Sequence, residues 1–263
     1  EVGALRRRLL EEPIERLAEE LRVGTDLLNL LKDYVEKQRS SIGVVPTDRR
    51  VVIEYSNRVL VIHCCLGTRA NALLALLLSY YLARAKGVSS KFFYDAYRIV
   101  LALSRDVPPE ELAKALAESG TELLKYVREA VKGSSAYLWK LLHVCQRMGI
   151  VEKGSRPKIP ARRLAEVFEG TVVEDEVIKE LMSTRFDLKT LELFLEDLKK
   201  GRVAIDAVRV KEFSPMAKSM FEKPYRAGLL AAGLEQLMVL EHVRKRLGKT
   251  KLLLTCLHCL NWS

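Results

Sequence analysis

Four side chains capable of gripping a nucleic acid fall within one helical run, Ser135 to Gly149. Trp139, Lys140, His143 and Arg147 are separated by helical spacings of three, four and eight, so they can share a face. On such a face Trp139 would stack on an unpaired base while Arg147 held the neighbouring phosphate. A tryptophan at helical spacing can equally be a core residue, and the pattern leaves both readings open. His143 has no identifiable Ser, Cys or carboxylate partner, so it reads as a packed or hydrogen-bonded histidine and not as a catalytic base.

A second candidate lies where a strand hands over to a helix, at Gly67-Thr68-Arg69-Ala70-Asn71. Free backbone N–H groups and the positive end of a helix dipole favour an anion there, and Arg69 would add a fork of donors. The alternative is a tight turn at Gly67 with Arg69 as a surface charge. Cys256-Leu257-His258-Cys259 has the spacing of half a tetrahedral zinc site, with no second pair in the sequence. Cys256 and Cys259 would hold zinc only if another cysteine pair were supplied, and no other cofactor is expected. Cys64 and Cys65 are adjacent on a presumed strand and read as small hydrophobes.

Several chemistries are excluded by what is missing. No phosphate-loop, dinucleotide, zinc-protease or serine-hydrolase motif occurs. Gly248-Lys249-Thr250 mimics the end of a phosphate loop, but Val243 stands where its first glycine must be. No catalytic residue is nominated, and this chain alone is not expected to be an enzyme.

The elements that must position these residues follow from hydrophobic spacing. Residues 4–22 and 25–38 read as two helices, with Thr25 or Asp26 as a cap. The β-branched runs Val51–Tyr55 and Val59–Cys64, separated by Ser56-Asn57-Arg58, predict a hairpin. Asn71 to Ala85 is apolar around its circumference and predicts a buried helix closed at Lys86-Gly87. Helices are expected over about 91–104, 109–117, 121–132, 135–148, 161–168, 174–185, 187–200 and 225–247, with strands at 203–210 and 252–255. The Gly- and Pro-rich stretch 149–160 is the candidate joint.

Composition bounds the setting. At 263 residues, with 49% hydrophobic and 30% charged side chains, the chain can bury a sizeable core. Five unevenly spaced cysteines fit a reducing compartment, the apolar stretch 70–83 is too short to span a bilayer, and a cytoplasmic protein with no membrane partner is expected. Scarce Asn and Gln beside abundant Arg, Lys and Glu suggest a thermophile. Net charge is +10, and Lys140 to Arg163, which includes Arg162 and Arg163, holds seven basic residues against Glu152 alone. That run points to a polyanion or to a merely solubilising surface.

Taken in order, several segments resemble the post-motor region of archaeal Lhr-type (large helicase-related) superfamily 2 helicases. Val45-Pro46-Thr47-Asp48-Arg49-Arg50 through Glu54 is similar to that family's "PTD … E" strand start, and His63 through Asn71 to its "H … G-x-x-x-N" turn. Trp139 to Ile150 resembles its "R-x-G-I" helix end, Phe168-Glu169-Gly170-Thr171 through Glu176 its "F-x-G-T" segment, Phe186-Asp187-Leu188 with Gly201 its "F-D … G" segment, and Phe213-Ser214-Pro215-Met216-Ala217 its "SP-x-A" element. Cys256 to Cys259 looks like the first knuckle of its C-terminal ribbon. The chain departs from the family in lacking motor motifs and a second cysteine pair, and in having Cys145-Gln146 where a small and a basic residue are expected.

The resemblance implies the C-terminal part of an ATP-dependent 3′-to-5′ DNA helicase of repair or recombination, partnered by a RecA-like motor in cis or trans. The expected fold is α+β and predominantly helical: a β-hairpin, a long buried helix, then a multi-helix unit with a short C-terminal strand pair. Expected domains are a helical lead-in (1–40), an α+β platform (41–150) and a helical domain with the half zinc knuckle (151–263). The expected function is a grip on single-stranded DNA, or on RNA, through Arg69, Asn71, Trp139, Lys140, Arg147, Arg162 and Arg163. The alternatives are a scaffold docking onto a separate motor subunit and an independent DNA-binding regulator.

Overall fold

A computed structural model describes residues 1–152 and 160–221. The chain divides into two compact units, residues 1–217 and 218–263. The expected helix 225–247, the strand 252–255 and the Cys256–Cys259 knuckle lie outside the described residues.

The first unit begins with three helices, α1 (Val2–Glu11), α2 (Ile14–Leu21) and α3 (Thr25–Ile42). The single helix expected over 4–22 is divided because Pro13 has no N–H to donate and starts a new helix. These helices enclose a small core of their own around Leu9, Leu17, Leu28 and Val35, to which Val45 and Met216 contribute. Gly3 is required by close packing, since a Cβ there would lie 2.6 Å from the Asp48 amide nitrogen.

The hairpin forms as expected: β1 (Arg50–Ser56) pairs antiparallel with β2 (Val59–His63) through a turn at Asn57 and Arg58, both in the left-handed region. Next comes α4 (Thr68–Lys86), buried along nearly its whole first half and ended by left-handed Gly87. The helix expected over 91–104 is instead a second hairpin, β3 (Ser90–Tyr94) and β4 (Arg98–Leu103). Lys91-Phe92-Phe93-Tyr94 and Ile99-Val100 are aromatic and β-branched, and Asp95 accepts from the Tyr97 and Arg98 amides at 2.8 Å each, which makes the turn.

Helices α5 (Pro109–Ser119), α6 (Val127–Lys132), α7 (Ser135–Arg147), α8 (Ala161–Val167), α9 (Val172–Thr184) and α10 (Leu188–Lys199) follow, with a 3₁₀ turn over Gly120–Tyr126. Then β5 (Ala204–Arg209) adds parallel to β1, giving the sheet order β3-β4-β2-β1-β5, and α11 (Pro215–Phe221) closes the described chain. The fold is therefore α+β with one mixed five-stranded sheet. The strand at 204–209 joins the central sheet beside β1. Because β5 returns there after α7 to α10, the compact unit runs on to Ala217.

Strand alternation gives the sheet two different faces. Ile53, Tyr55, Leu60, Ile62, Ile99 and Leu101 join α4 and the outer helices in the main core. The opposite face carries Glu54, His63 and Arg98 among valines, all of them buried.

Candidate nucleic-acid interface

Ser134 caps α7, its Oγ accepting from the Tyr137 amide at 3.1 Å. Tyr137, Leu141, Val144 and Cys145 turn one face of α7 into the core. The opposite stripe carries Trp139, His143 and Arg147, and Trp139 is 68% exposed. A tryptophan buries a large apolar area when packed, so this degree of exposure removes the core reading of Trp139.

The neighbouring cations are tied to α9. Lys140 Nζ lies 3.2 Å from Glu180 Oε2, and Arg147 pairs with Glu180 and, at 3.5 Å, with Glu176. The Arg147 guanidinium above all, helped by Lys140, holds the Glu180 carboxyl below the usual range. Arg147 keeps more than half of its side-chain surface open to solvent. Arg162 and Arg163 are exposed on α8, which packs against α7. Among the described residues neither forms an ion pair.

Arg69 reaches the same helix from another side. Its guanidinium donates to the carbonyls of Ser183 at 2.6 Å and Phe186 at 2.7 Å, where α9 ends. Cations are favoured at a helix C-terminus because the last carbonyls are unpaired. Arg69, Lys140 and Arg147 therefore do converge, but on α9.

Asn71 is fully buried; its Nδ2 donates to the Asp95 carbonyl at 2.8 Å and its Oδ1 accepts from Cys64 Sγ at 3.1 Å. It links the start of α4 to the β3–β4 turn and offers nothing to a surface ligand. The turn before α4 is held likewise: the Cys64 and Cys65 amides both donate to the Tyr97 carbonyl and the Gly67 amide to that of Ala96. Gly67 itself has φ +86°, a conformation that favours glycine. The strand-to-helix turn is thus built by the second hairpin, and its arginine is committed to α9.

The sheet's polar face contains a cluster that spacing did not reveal. Glu54 and His63 sit diagonally across β1 and β2, with His63 Nε2 2.8 Å from Glu54 Oε1. The Ser214 amide donates to Glu54 Oε2 at 2.8 Å and its hydroxyl to Oε1 at 2.5 Å. Burial pushes the Glu54 carboxyl up, but the donors from His63 and Ser214 outweigh it and hold the group below its ordinary value. Burial likewise holds the His63 imidazole down. Among the described residues His63 Nδ1 has no hydrogen-bond partner, which suits a neutral ring that donates from Nε2, since an imidazolium would leave a buried N–H unpaired. The triad has no open side for a substrate; it pins the Ser214–Ala217 segment to the sheet. Its signal in the sequence was a carboxylate and an imidazole set at inward positions of two otherwise apolar strands.

The segment Phe168 to Thr171 shows what a short family-like motif does locally. Gly170, at φ +70°, turns the chain, and its amide donates to Glu174 Oε2 at 3.0 Å, a reach-back related to the capping box. Glu174 is buried and also receives Arg128 and Lys132. Among the described residues no His, Cys, Asp and Glu group is arranged to hold a metal ion, and no helix is long and apolar enough to cross a membrane.

The comparisons agree with this architecture. The chain is 26% identical over 208 residues to the Lhr helicase/uracil glycosylase of Escherichia coli (strain K12), a match covering 72% of this chain and 13% of that protein. The solved structure of Mycobacterium smegmatis helicase Lhr bound to ssDNA and AMP-PNP shares the fold, with a TM-score of 0.65 at 19% identity, over 83% of this chain and 30% of that one. The chain thus spans a minor part of each relative's length. The profile of the DEAD/H associated family matches residues 45–217, from the turn before β1 to the Ser214–Ala217 segment that Glu54 clasps. With both ends of that match bound into one sheet-centred unit, the chain belongs to the DEAD/H associated family.

Proposed function

We propose that this chain is the nucleic-acid-gripping accessory region of an Lhr-type ATP-dependent 3′-to-5′ DNA helicase, working beside a RecA-like motor that its own residues do not supply. The observation that carries the reading is Trp139, 68% exposed on the outward stripe of α7 with a cation two turns away. Trp139 stacks on a base of single-stranded DNA, while Lys140, Arg147, Arg162 and Arg163 attract the flanking phosphates. Arg69 and Asn71, first candidates for contact, serve the frame that holds α9 and α4. The Mycobacterium smegmatis relative was solved with ssDNA and AMP-PNP, which supports DNA as the ligand and an ATP-driven partner.

Stacking on an exposed aromatic contributes about 1–3 kcal/mol per base. Trp139→Ala should therefore weaken binding of a single-stranded oligonucleotide by roughly 5- to 150-fold, with Trp139→Phe in between, measured by fluorescence anisotropy. Unchanged affinity in Trp139→Ala would remove Trp139 from the interface.

A docking role is favoured by a different observation: Leu27, Leu30 and Tyr34 form an exposed apolar stripe on α3. Capture of a RecA-type ATPase through that stripe, by a chain that binds no DNA, would select this second reading.

A further inference from the structure

A cleft of about 430 Å³ opens between α1, the C-terminal end of α3 and the turn before β1. Among the described residues four arginines line it, Arg7, Arg39, Arg49 and Arg50, with Glu11 as the lining carboxylate and Asp48 and Asp206 reaching Arg7 and Arg50 from beside it. Local structure explains the gathering. Left-handed Gly43 ends α3 one turn beyond Arg39, and the chain then passes through buried Val45 into the Thr47–Arg50 turn. That turn is closed by the Thr47 amide donating to the Arg50 carbonyl at 3.0 Å and the Arg49 amide to Thr47 Oγ1 at 3.2 Å. It sets two consecutive arginines at the mouth.

The four cations are not equivalent. Arg7 makes a two-point contact with Asp48, at 2.9 and 3.2 Å, and reaches Glu11 at 3.2 Å. Arg50 lies 3.4 Å from Asp206. Arg39 and Arg49 are exposed, and among the described residues neither has an ion-pair partner. Asp48 and Glu11 offset Arg7 and Asp206 offsets Arg50, so the uncompensated charge at the cleft is that of Arg39 and Arg49.

We infer that this cleft is a second phosphate-binding site, in which Arg39 and Arg49 take the backbone oxygens of a nucleic-acid strand and the tethered Arg7 and Arg50 add to the field. The guanidinium fork matches phosphate oxygens. Among the described residues no aromatic side chain lines the cleft, so it reads backbone and not base. The inference rests on the reading that this region holds a strand, and it gives that strand a contact point on the N-terminal side of the sheet, formed by different elements from α7.

The test uses the whole 263-residue chain and oligo-dT, titrated by anisotropy across a salt series. Arg39→Ala/Arg49→Ala should lower affinity about tenfold at low salt and make the slope of log affinity against log salt shallower by about 1.4, since each phosphate contact on single strands contributes about 0.7. Arg39→Lys/Arg49→Lys should keep most of the slope, which separates lost charge from lost folding. Trp139→Ala should lose affinity with the slope intact. A wild-type slope in the double alanine variant, with Trp139→Ala still weakened, would overturn the cleft and leave the Trp139 reading standing. Failure of the unaltered chain to bind oligo-dT would remove both. Binding of polyglutamate that depends on Arg39 and Arg49, with DNA binding unaltered, would reassign the cleft to an acidic protein.

Discussion

Glu54 and Glu180 each gather several donors from distant parts of the chain, yet they do so in opposite settings. Glu54 is wholly buried and binds His63 and both donors of Ser214. Glu180 lies near the surface and binds Lys140 and Arg147, the latter more than half exposed. In the interior each broken bond leaves a polar group that water cannot reach. At the surface water and salt replace the partner at little cost. The contrast separates a fixed clasp from contacts that water and salt can take over, although the two look alike as lists of bonds.

The largest expected effect is at the clasp. Glu54→Ala strands the Ser214 amide, its hydroxyl and the His63 N–H together, and each buried donor left unpaired costs about 1–3 kcal/mol. Urea denaturation of the two chains measures it; a cost under about 1 kcal/mol would show that water enters the site and that the contrast with Glu180 is false. Acid provides the next test. The His63 imidazole is held down in the folded state, so below about pH 6.5 the unfolded chain binds a proton that the folded chain does not, and stability falls as pH drops through the folded value. Glu54 is held down as well, so its contribution is present above the ordinary carboxylate range and is lost at still lower pH. Melting temperature should thus decline in two stages on acidification, and His63→Gln should flatten the upper one.

The contrast also explains what the sequence disclosed. The first hairpin, the buried α4 and most outer helices were legible because their apolar residues recur at one period without interruption. Residues 91–104 were misread because a short apolar run fits a helix or a strand equally well, and the deciding feature, the Asp95 turn, is a contact of a side chain with two amides. At the interface Trp139 was legible as a type of residue, but whether it faced water depended on which side of α7 the core claimed. Arg69 and Asn71 were placed by motif and spacing at a surface turn; the partners that hold them, Ser183, Phe186 and Asp95, come from segments no local pattern connects. The Glu54 clasp joins residues 160 positions apart, and Arg39 and Arg49 come to line one cleft after α3 ends at Gly43.

The smallest effect on stability should accompany the most informative effect on binding. Glu180→Gln removes the negative charge that Lys140 and Arg147 share but keeps a group of the same shape on α9. Since both cations reach Glu180 from partly solvated positions, the melting temperature should move by no more than a few degrees. Freed of their carboxylate, the same two cations should attract a strand more strongly, raising oligo-dT affinity at low salt and steepening its salt dependence. Glu54→Gln, tested beside it, should do the reverse, lowering stability while leaving the affinity of the remaining folded chain unchanged. If Glu180→Gln left DNA binding and its salt slope unaltered, Lys140 and Arg147 would be braces for α9 alone, and the strand would have to pass over Trp139 toward Arg162 and Arg163.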